Sequence, residues 1–490
     1  MKKTKDLLNW RVSPVLILTC AFLFSCNRTN VAPPEAFGPV PDERQLAWHE
    51  MEMNAFIHFT INTFTDKEWG YGDESAELFN PTDLDVDQWV SVLKETGFQG
   101  VILTCKHHDG FCLWPTAYTE HSVKNSPFMD GKGDVVKAVS DACKKYGLKF
   151  GVYLSPWDRN RADYGQPSYI EYYRNQLKEL FTNYGPVFEM WFDGANGGDG
   201  YYGGARETRQ IDRETYYDWP ATLELVGSIQ PQVVFFSDAG PDIRWCGNER
   251  GFIGETNWNT ISVDTLYAGK PDLYDLLNTG SEDGNKWVPG EVDTSIRPGW
   301  FYHAKEDSLV KTSERLFEIF LSSVGRGSNL LLNIPPDRRG KFHENDVQAL
   351  RGLKAMLESA FATDLALGAN VKASEVRGNS SRFAAQRVVD GDQSTYWTTE
   401  DATKTGSLEI DLGEEKTIKF VQVQEYIPLG QRVRAFTVEA WKDNAWQQVA
   451  EGTTIGYKRI LQADPVTTAK VRITITDARA CPVISSVSLY

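Results

Sequence analysis

Between about residue 40 and residue 360, short apolar runs recur at intervals of roughly 35–50 residues, the spacing of strand–helix units with loop insertions. The runs fall at residues 55–59, 100–105, 149–154, 187–192, 233–237 and 329–334. Several, such as Val101-Ile102-Leu103-Thr104-Cys105 and Val233-Val234-Phe235-Phe236, carry no polar alternation. Strands of that kind are buried on both faces, which happens in parallel sheets covered by helices. Helical periodicity lies between them at residues 86–96, 135–146 and 169–182, and again at 346–361. The pattern predicts an α/β fold, a TIM-like (β/α)8 barrel over residues 40–362. Past Ser237 the strands are less distinct, so the eightfold count follows from the fold type and not from eight visible runs.

A chain of 490 residues exceeds what one core usually organises, so a second domain is expected. The composition changes near Leu365. Short alternating segments follow at 407–412, 417–426, 434–441, 471–475 and 484–489, separated by turns, and predict an all-β sandwich over residues 369–490. The other end reads as an export signal. Lys2, Lys3 and Lys5 precede an apolar run at 15–24 that is too short to span a bilayer. Leu23-Phe24-Ser25-Cys26 resembles a bacterial lipobox, which makes residues 1–26 a lipoprotein signal peptide, Cys26 the lipidated residue and 27–39 a tether. The expected location is the periplasm or the cell surface, with the membrane contacted only through the lipid anchor.

A formal charge of −16 argues against nucleic acid and anionic membranes as partners, because both select Lys and Arg. Fifteen Trp and 20 Tyr are heavy usage, and aromatic faces stack on sugar rings. Beyond the signal, Cys105, Cys112, Cys143, Cys246 and Cys481 form no paired spacing, and no C-x-x-C or H-E-x-x-H occurs. A zinc site is therefore not expected, and no metal is expected in the barrel.

In such barrels the C-terminal strand ends build the active site. Here those ends deliver His58, then Lys106-His107-His108-Asp109-Gly110-Phe111, then Tyr153 with Ser155-Pro156-Trp157-Asp158, then Trp191-Phe192-Asp193-Gly194, then Asp238. A single polar end would mean little, since an Asp before Gly is a common loop cap. Five such ends point to a site, with Asp193 the sharpest candidate. Vicinal His107 and His108 lack metal-ligand spacing, so hydrogen bonding to sugar hydroxyls is the expected role.

These segments resemble glycoside hydrolase family 29, the α-L-fucosidases, over residues 40–360: Phe56-Ile57-His58-Phe59, Glu68-Trp69, His107-His108-Asp109-Gly110-Phe111, Tyr153-Leu154-Ser155-Pro156-Trp157, Trp191-Phe192-Asp193-Gly194 and Asn329 through Pro336. The resemblance implies a retaining hydrolase needing no cofactor, with Asp193 as nucleophile. It also implies that His58, Glu68, Trp69, His107, His108, Tyr153 and Trp157 hold the fucose. Retention needs a second carboxyl ~5–5.5 Å away, protonated before attack. Gly247-Asn248-Glu249 resembles the 1,3/1,4-specific branch and points to Glu249, with Glu291 and then Glu255 as rivals. Trp258, Arg297 and Trp300 are expected to line the subsite beyond fucose, with Glu291 near the substrate. The insert at Gly197–Gly204 departs from the family pattern and bears on substrate selection. The tail resembles discoidin-like (F5/8 type C) modules, as in carbohydrate-binding family 32, through Val389-Asp390-Gly391-Asp392 and Thr395-Tyr396-Trp397. It implies a structural calcium that Asp390 and Asp392 could bind; sugar binding and a purely structural role both stay open.

The expected partners are fucosylated oligosaccharides or glycoconjugates carrying α-1,3/1,4-linked fucose. The competing reading is a catalytically weak surface glycan-binding lipoprotein. Retention of Asp193 favours the enzyme.

Overall fold

The structure, a computed structural model, describes residues 31–490, so the signal segment and Cys26 lie outside the described residues. Eight parallel strands close into a barrel: β1 (Met53–Ile57), β2 (Gly100–Lys106), β3 (Lys149–Leu154), β4 (Glu189–Trp191), β5 (Val234–Ser237), β6 (Ile243–Trp245), β7 (Gly290–Ser295) and β8 (Asn329–Asn333). Each strand pairs with its sequence neighbours, and β8 returns to β1. The runs named from sequence match six of these strands. The other two, β6 and β7, escaped because they carry buried polar side chains: Arg244 in β6, and Glu291, Asp293 and Ser295 in β7.

Helices follow as α1 (Glu43–His49), α2 (Val86–Glu95), α3 (Val135–Tyr146), α4 (Pro167–Asn183), α5 (Trp219–Ile229), α6 (Ser313–Ser323) and α7 (Glu344–Phe361). Helix α3 shows why these boundaries are readable. Asp134 caps its first turn by accepting from Lys137 N, and Gly147, at φ +72, ends it in the left-handed region that favours glycine. The barrel departs from ideal (β/α)8 form between β5 and β6, where residues 238–242 replace a helix. Between β6 and β7 a long loop holds one short helix and a two-residue ribbon, Thr260–Ile261 against Lys286–Trp287.

Strand register sets which side chains fill the barrel. Asn54 and Phe56, Leu331 and Asn333, Glu291 and Asp293, Trp245, and Glu189 with Trp191 share the inward face, since successive strand residues alternate. Phe56, Ile102, Tyr153, Trp191, Phe236, Ile243 and Leu331 pack there as one cluster. The larger core lies between the strands and the helices.

The second domain is one antiparallel sheet of seven strands: β9 (Asn370–Ala373), β10 (Trp397–Thr398), β11 (Gly406–Glu425), β12 (Val433–Lys442), β13 (Ala445–Gly452), β14 (Arg459–Ala478) and β15 (Val483–Leu489). The segments 407–412 and 417–426 are two halves of β11, joined through a register shift between Asp411 and Lys416. Such bulges bend a strand, which lets β11 and β14 run along the whole domain. The stretch expected to be a tether is instead docked from Pro34 onward. Arg432 Nη2 donates to Glu35 O at 2.6 Å, and Phe37 N donates to Leu429 O at 3.0 Å. Among the described residues no helix is long and apolar enough to cross a membrane.

Candidate active site

The wall built by β1, β2 and β3 is made of neutral imidazoles and aromatic rings. His58 follows β1 and pairs through Nδ1 with Asn333 Oδ1 at 2.9 Å. Burial lowers its pKa to about 3. His107 and His108 both reach this wall, although alternation would separate them. A register shift of β2 against β3 between Thr104 and Lys106 relaxes the rule, and the two rings sit 4.1 Å apart. Burial lowers His107 well below the ordinary value and His108 to about 4. His108 Nδ1 pairs with Ser155 Oγ at 2.7 Å, while His107 Nδ1 finds no partner among the described residues. Neutral imidazoles offer one donor and one acceptor each, which suits hydroxyl groups. Trp69 closes this wall edge-on to His108 and Trp157, and stays 54% exposed at the mouth. Trp157 is buried, donating from Nε1 to Tyr202 OH at 2.9 Å, so the insert around Gly198–Gly200 packs directly on it.

Asp193 continues the inward face of β4 two residues beyond Trp191. Its Oδ1 accepts from Ala195 N at 2.7 Å, the turn-capping bond typical of an Asp in a loop. Its Oδ2 is turned to the cleft, where Tyr153 OH donates at 2.8 Å and His108 Nε2 stands 3.8 Å away. The following Gly194 is required sterically: a Cβ there would fall 2.0 Å from Asp238 Oδ2. Asp238, at the end of β5, is raised to about 6 by burial and by the charge of Asp193, against the lowering effect of the bond from Gly269 N.

Glu249 lies on the loop after β6. Gly247, at φ +83, permits the turn that carries it back to the mouth, and Thr294 Oγ1 holds its carbonyl at 2.9 Å. Trp300 Nε1 donates to Glu249 Oε2 at 3.1 Å. Although the side chain reaches solvent, burial raises the Glu249 carboxyl above the usual value, and the charges of Asp193 and Glu68 add to this against the Trp300 bond. Glu68 arrives on the loop after β1, its Oε2 accepting from Trp300 N at 2.8 Å.

The remaining expected positions fall elsewhere. Glu291 does not face the cleft. It sits two residues before Asp293 on β7, about 6.6 Å lower by strand rise, accepting from Trp191 Nε1 at 3.1 Å and facing Glu189 within the barrel. Burial, and the charge of Glu189, raise it strongly. Arg297 does not line a subsite either. Its side chain is 0% exposed and is held by Asp346 and Asp307. Glu255 is 74% exposed beside Arg326, with its carbonyl bound by Arg459 and Thr453 of the sheet domain. Trp258 is buried under the Arg479 guanidinium in the same interface.

Sequence reasoning passed over Asp293, a buried acid beside Glu249. It accepts from Trp245 Nε1 at 2.7 Å and is raised well above the usual value by burial and by the charges of Glu249 and Glu291. The Glu291-Val292-Asp293-Thr294-Ser295 alternation was the available signal. Arg387 and Thr395 engage the Asp390 carboxylate, and Ser394 engages that of Asp392. Among the described residues no group of three or more His, Cys, Asp or Glu side chains is placed to hold a metal ion.

A parallel barrel whose mouth carries carboxyls from β4 and from the loop after β6, neutral histidines and an exposed tryptophan is the architecture of a glycoside hydrolase. The Alpha-L-fucosidase family model matches residues 36–360, and the F5/8 type C domain model matches residues 370–487. Alpha-L-fucosidase 1 of Arabidopsis thaliana is 40% identical over 458 residues, 92% of this chain and 87% of that protein. A glycoside hydrolase 29 family member from an unknown rumen bacterium is 46% identical with a TM-score of 0.83, covering 93% of this chain and 78% of that one. A Ruminococcus gnavus GH29 fucosidase solved in complex with fucose is 33% identical, TM-score 0.84, covering 94% and 96%. The chain belongs to the α-L-fucosidase family, glycoside hydrolase family 29, and carries a C-terminal F5/8 type C domain. It is a glycoside hydrolase whose substrates are α-L-fucosides.

Proposed function

We propose that this enzyme works with retention, through a covalent fucosyl intermediate on Asp193, and that Glu249 is its acid and base. The observation that carries this is electrostatic: Glu249 stands at the same mouth as Asp193 and is held toward its protonated form by burial and by the charge of Asp193. In the first half-reaction Asp193 Oδ2 attacks the anomeric carbon while Glu249 gives its proton to the leaving oxygen. Having given up its proton, Glu249 stays ionised because forming the ester removes the Asp193 charge. It then takes a proton from a water whose oxygen attacks the anomeric carbon as the ester bond to Asp193 breaks. Tyr153 OH, bonded to Oδ2, keeps the nucleophile aimed. The neutral His58, His107 and His108 and the open face of Trp69 receive the sugar, in keeping with the fucose complex of the related R. gnavus enzyme.

The preferred linkage is α-1,3/1,4. The Gly247-Asn248-Glu249 segment supports this, and the indole of Trp300, bonded to Glu249, stands where the remainder of a branched glycan would meet the acid. Glu249→Ala should lose turnover on oligosaccharides and keep more of it on fucosyl fluoride, and azide should restore the latter as an azide adduct of retained configuration. Full activity on a Lewis-type trisaccharide would refute the assignment. Comparing fucose release from α-1,2, α-1,3, α-1,4 and α-1,6 linkages tests the specificity. The chain is further proposed to be lipid-anchored at Cys26, facing the periplasm or the cell exterior. Cys26→Ala should move it from the membrane to the soluble fraction; an unchanged distribution would refute the anchor.

A further inference from the structure

The loop that follows β7 grips the loop that follows β1 through one imidazole. His303 Nδ1 lies 2.7 Å from Asp66 Oδ1, and His303 Nε2 lies 2.6 Å from Glu68 Oε1. The ring is buried, while both carboxylates reach solvent. Backbone donors complete the grip: Phe301 N reaches Glu68 Oε1 at 3.3 Å and Trp300 N reaches Oε2 at 2.8 Å. The geometry leaves no slack, because a Cβ on Gly299 would fall 2.4 Å from Glu68 Oε1 and 3.1 Å from the His303 ring. A carboxylate has about four acceptor directions. His303 and Phe301 occupy Oε1, whereas Oε2 keeps one free for a ligand hydroxyl. The same short loop also carries Trp300, whose indole meets Glu249.

We propose that His303 is a positioning residue: clamped between Asp66 and Glu68, it aims the Glu68 carboxylate at a fucose hydroxyl and loosens that aim when it loses its proton. The inference rests on the reading that Glu68 touches the sugar. An imidazolium donates from both nitrogens, so it satisfies both carboxylates. Neutral imidazole has one N–H, and its lone pair then opposes Asp66 or Glu68.

The charged groups around the ring favour the protonated form. Burial alone would lower His303, but the bonds to Asp66 and Glu68 and the charges of Glu68 and Glu306 outweigh it and raise it. The Asp66 carboxylate is held below its usual value chiefly by the His303 bond, and the charges of His303, Arg338 and Lys305 add to this against burial. With a raised pKa, the doubly bonded state is complete at low pH and is lost as pH climbs through a value above the ordinary ~6.5.

The test is the inhibition constant of L-fucose against pH, a binding readout that does not involve proton transfer to a leaving group. In the wild type, inhibition should weaken on the alkaline side. His303→Gln should weaken it about tenfold at pH 6, the scale of one charge-assisted hydrogen bond, and should abolish the alkaline limb. Asp66→Asn, on a half-exposed side chain, should move the limb to lower pH with an unchanged melting temperature. Wild-type inhibition and an unshifted limb in both variants, while Glu68→Gln weakens binding, would overturn the role of His303 alone. Unaltered inhibition in Glu68→Gln would overturn the sugar contact itself, and the proposal with it.

Discussion

At the scale of single residues, this site is governed by which carboxyls share a field. Glu249 is raised partly by the charge of Asp193, so Asp193→Asn should lower the Glu249 pKa, a change that carbon NMR of labelled glutamate would follow directly. The sign for catalysis follows. A proton donor with a raised pKa serves below that value, so turnover of poorly activated fucosides should fall as pH rises through it, whereas fucosyl fluoride should be spared that loss. Asp193→Asn itself should reduce kcat on the order of 10^4-fold or more, measured against an unchanged thermal melt. Gly194 is a second sensitive point. Gly194→Ala pushes a methyl into Asp238 Oδ2, and displacing Asp193 by about 1 Å should cost roughly 100-fold in kcat. The strand-end polar residues could be picked out from the sequence because nothing in a buried strand explains them. Asp238 was among those ends, but its coupling to Asp193, like that of Asp293 to Glu249, was not legible, because it depends on proximity across strands.

At the scale of elements, the apolar strands were legible and the polar ones were not. Strands β1 to β5 and β8 read as runs because consecutive apolar side chains dominate them, despite isolated buried polar residues such as Asn54 and Glu189. Strand β6 hides a fully buried arginine: Arg244 gives its donors to Leu277 O, Asn257 Oδ1, Trp258 O and Val288 O. That network stiffens the start of the loop carrying Glu249, yet in sequence it looks like a charged turn. Strand β7 hides Glu291 and Asp293 in the same way. Arg297, just beyond β7, was expected to line the subsite beyond fucose. The structure instead buries it against Asp346 at the start of α7, in a pair with both side chains 0% exposed. Arg297→Leu leaves that carboxylate buried without its partner and should destabilise the enzyme by about 3–5 kcal/mol in urea unfolding, while the residual folded fraction keeps its KM.

At the scale of the whole molecule, the barrel and the F5/8 type C domain share buried contacts that no pattern within either domain foretells. Gln431 Oε1 accepts from Asn259 N at 2.8 Å and its Nε2 donates to Asn257 O at 2.8 Å, both within the long loop that carries Glu249. Phe361 of α7 packs against Phe420 of β11 and against Tyr490. Truncation after residue 362 should therefore yield a barrel prone to aggregation, and Gln431→Ala should cost about 1–3 kcal/mol by leaving two buried backbone groups unpaired, read as a lowered midpoint in denaturant. A truncated barrel with wild-type solubility and melting would refute this. The sequence by itself determined the alternation of strands and helices, the change to a second all-β domain and the polar strand ends, because those are properties of local periodicity. Only the tertiary structure decided which acids meet, which arginine is buried and which loop is gripped by His303, because distance, burial and field arise between residues far apart in the chain.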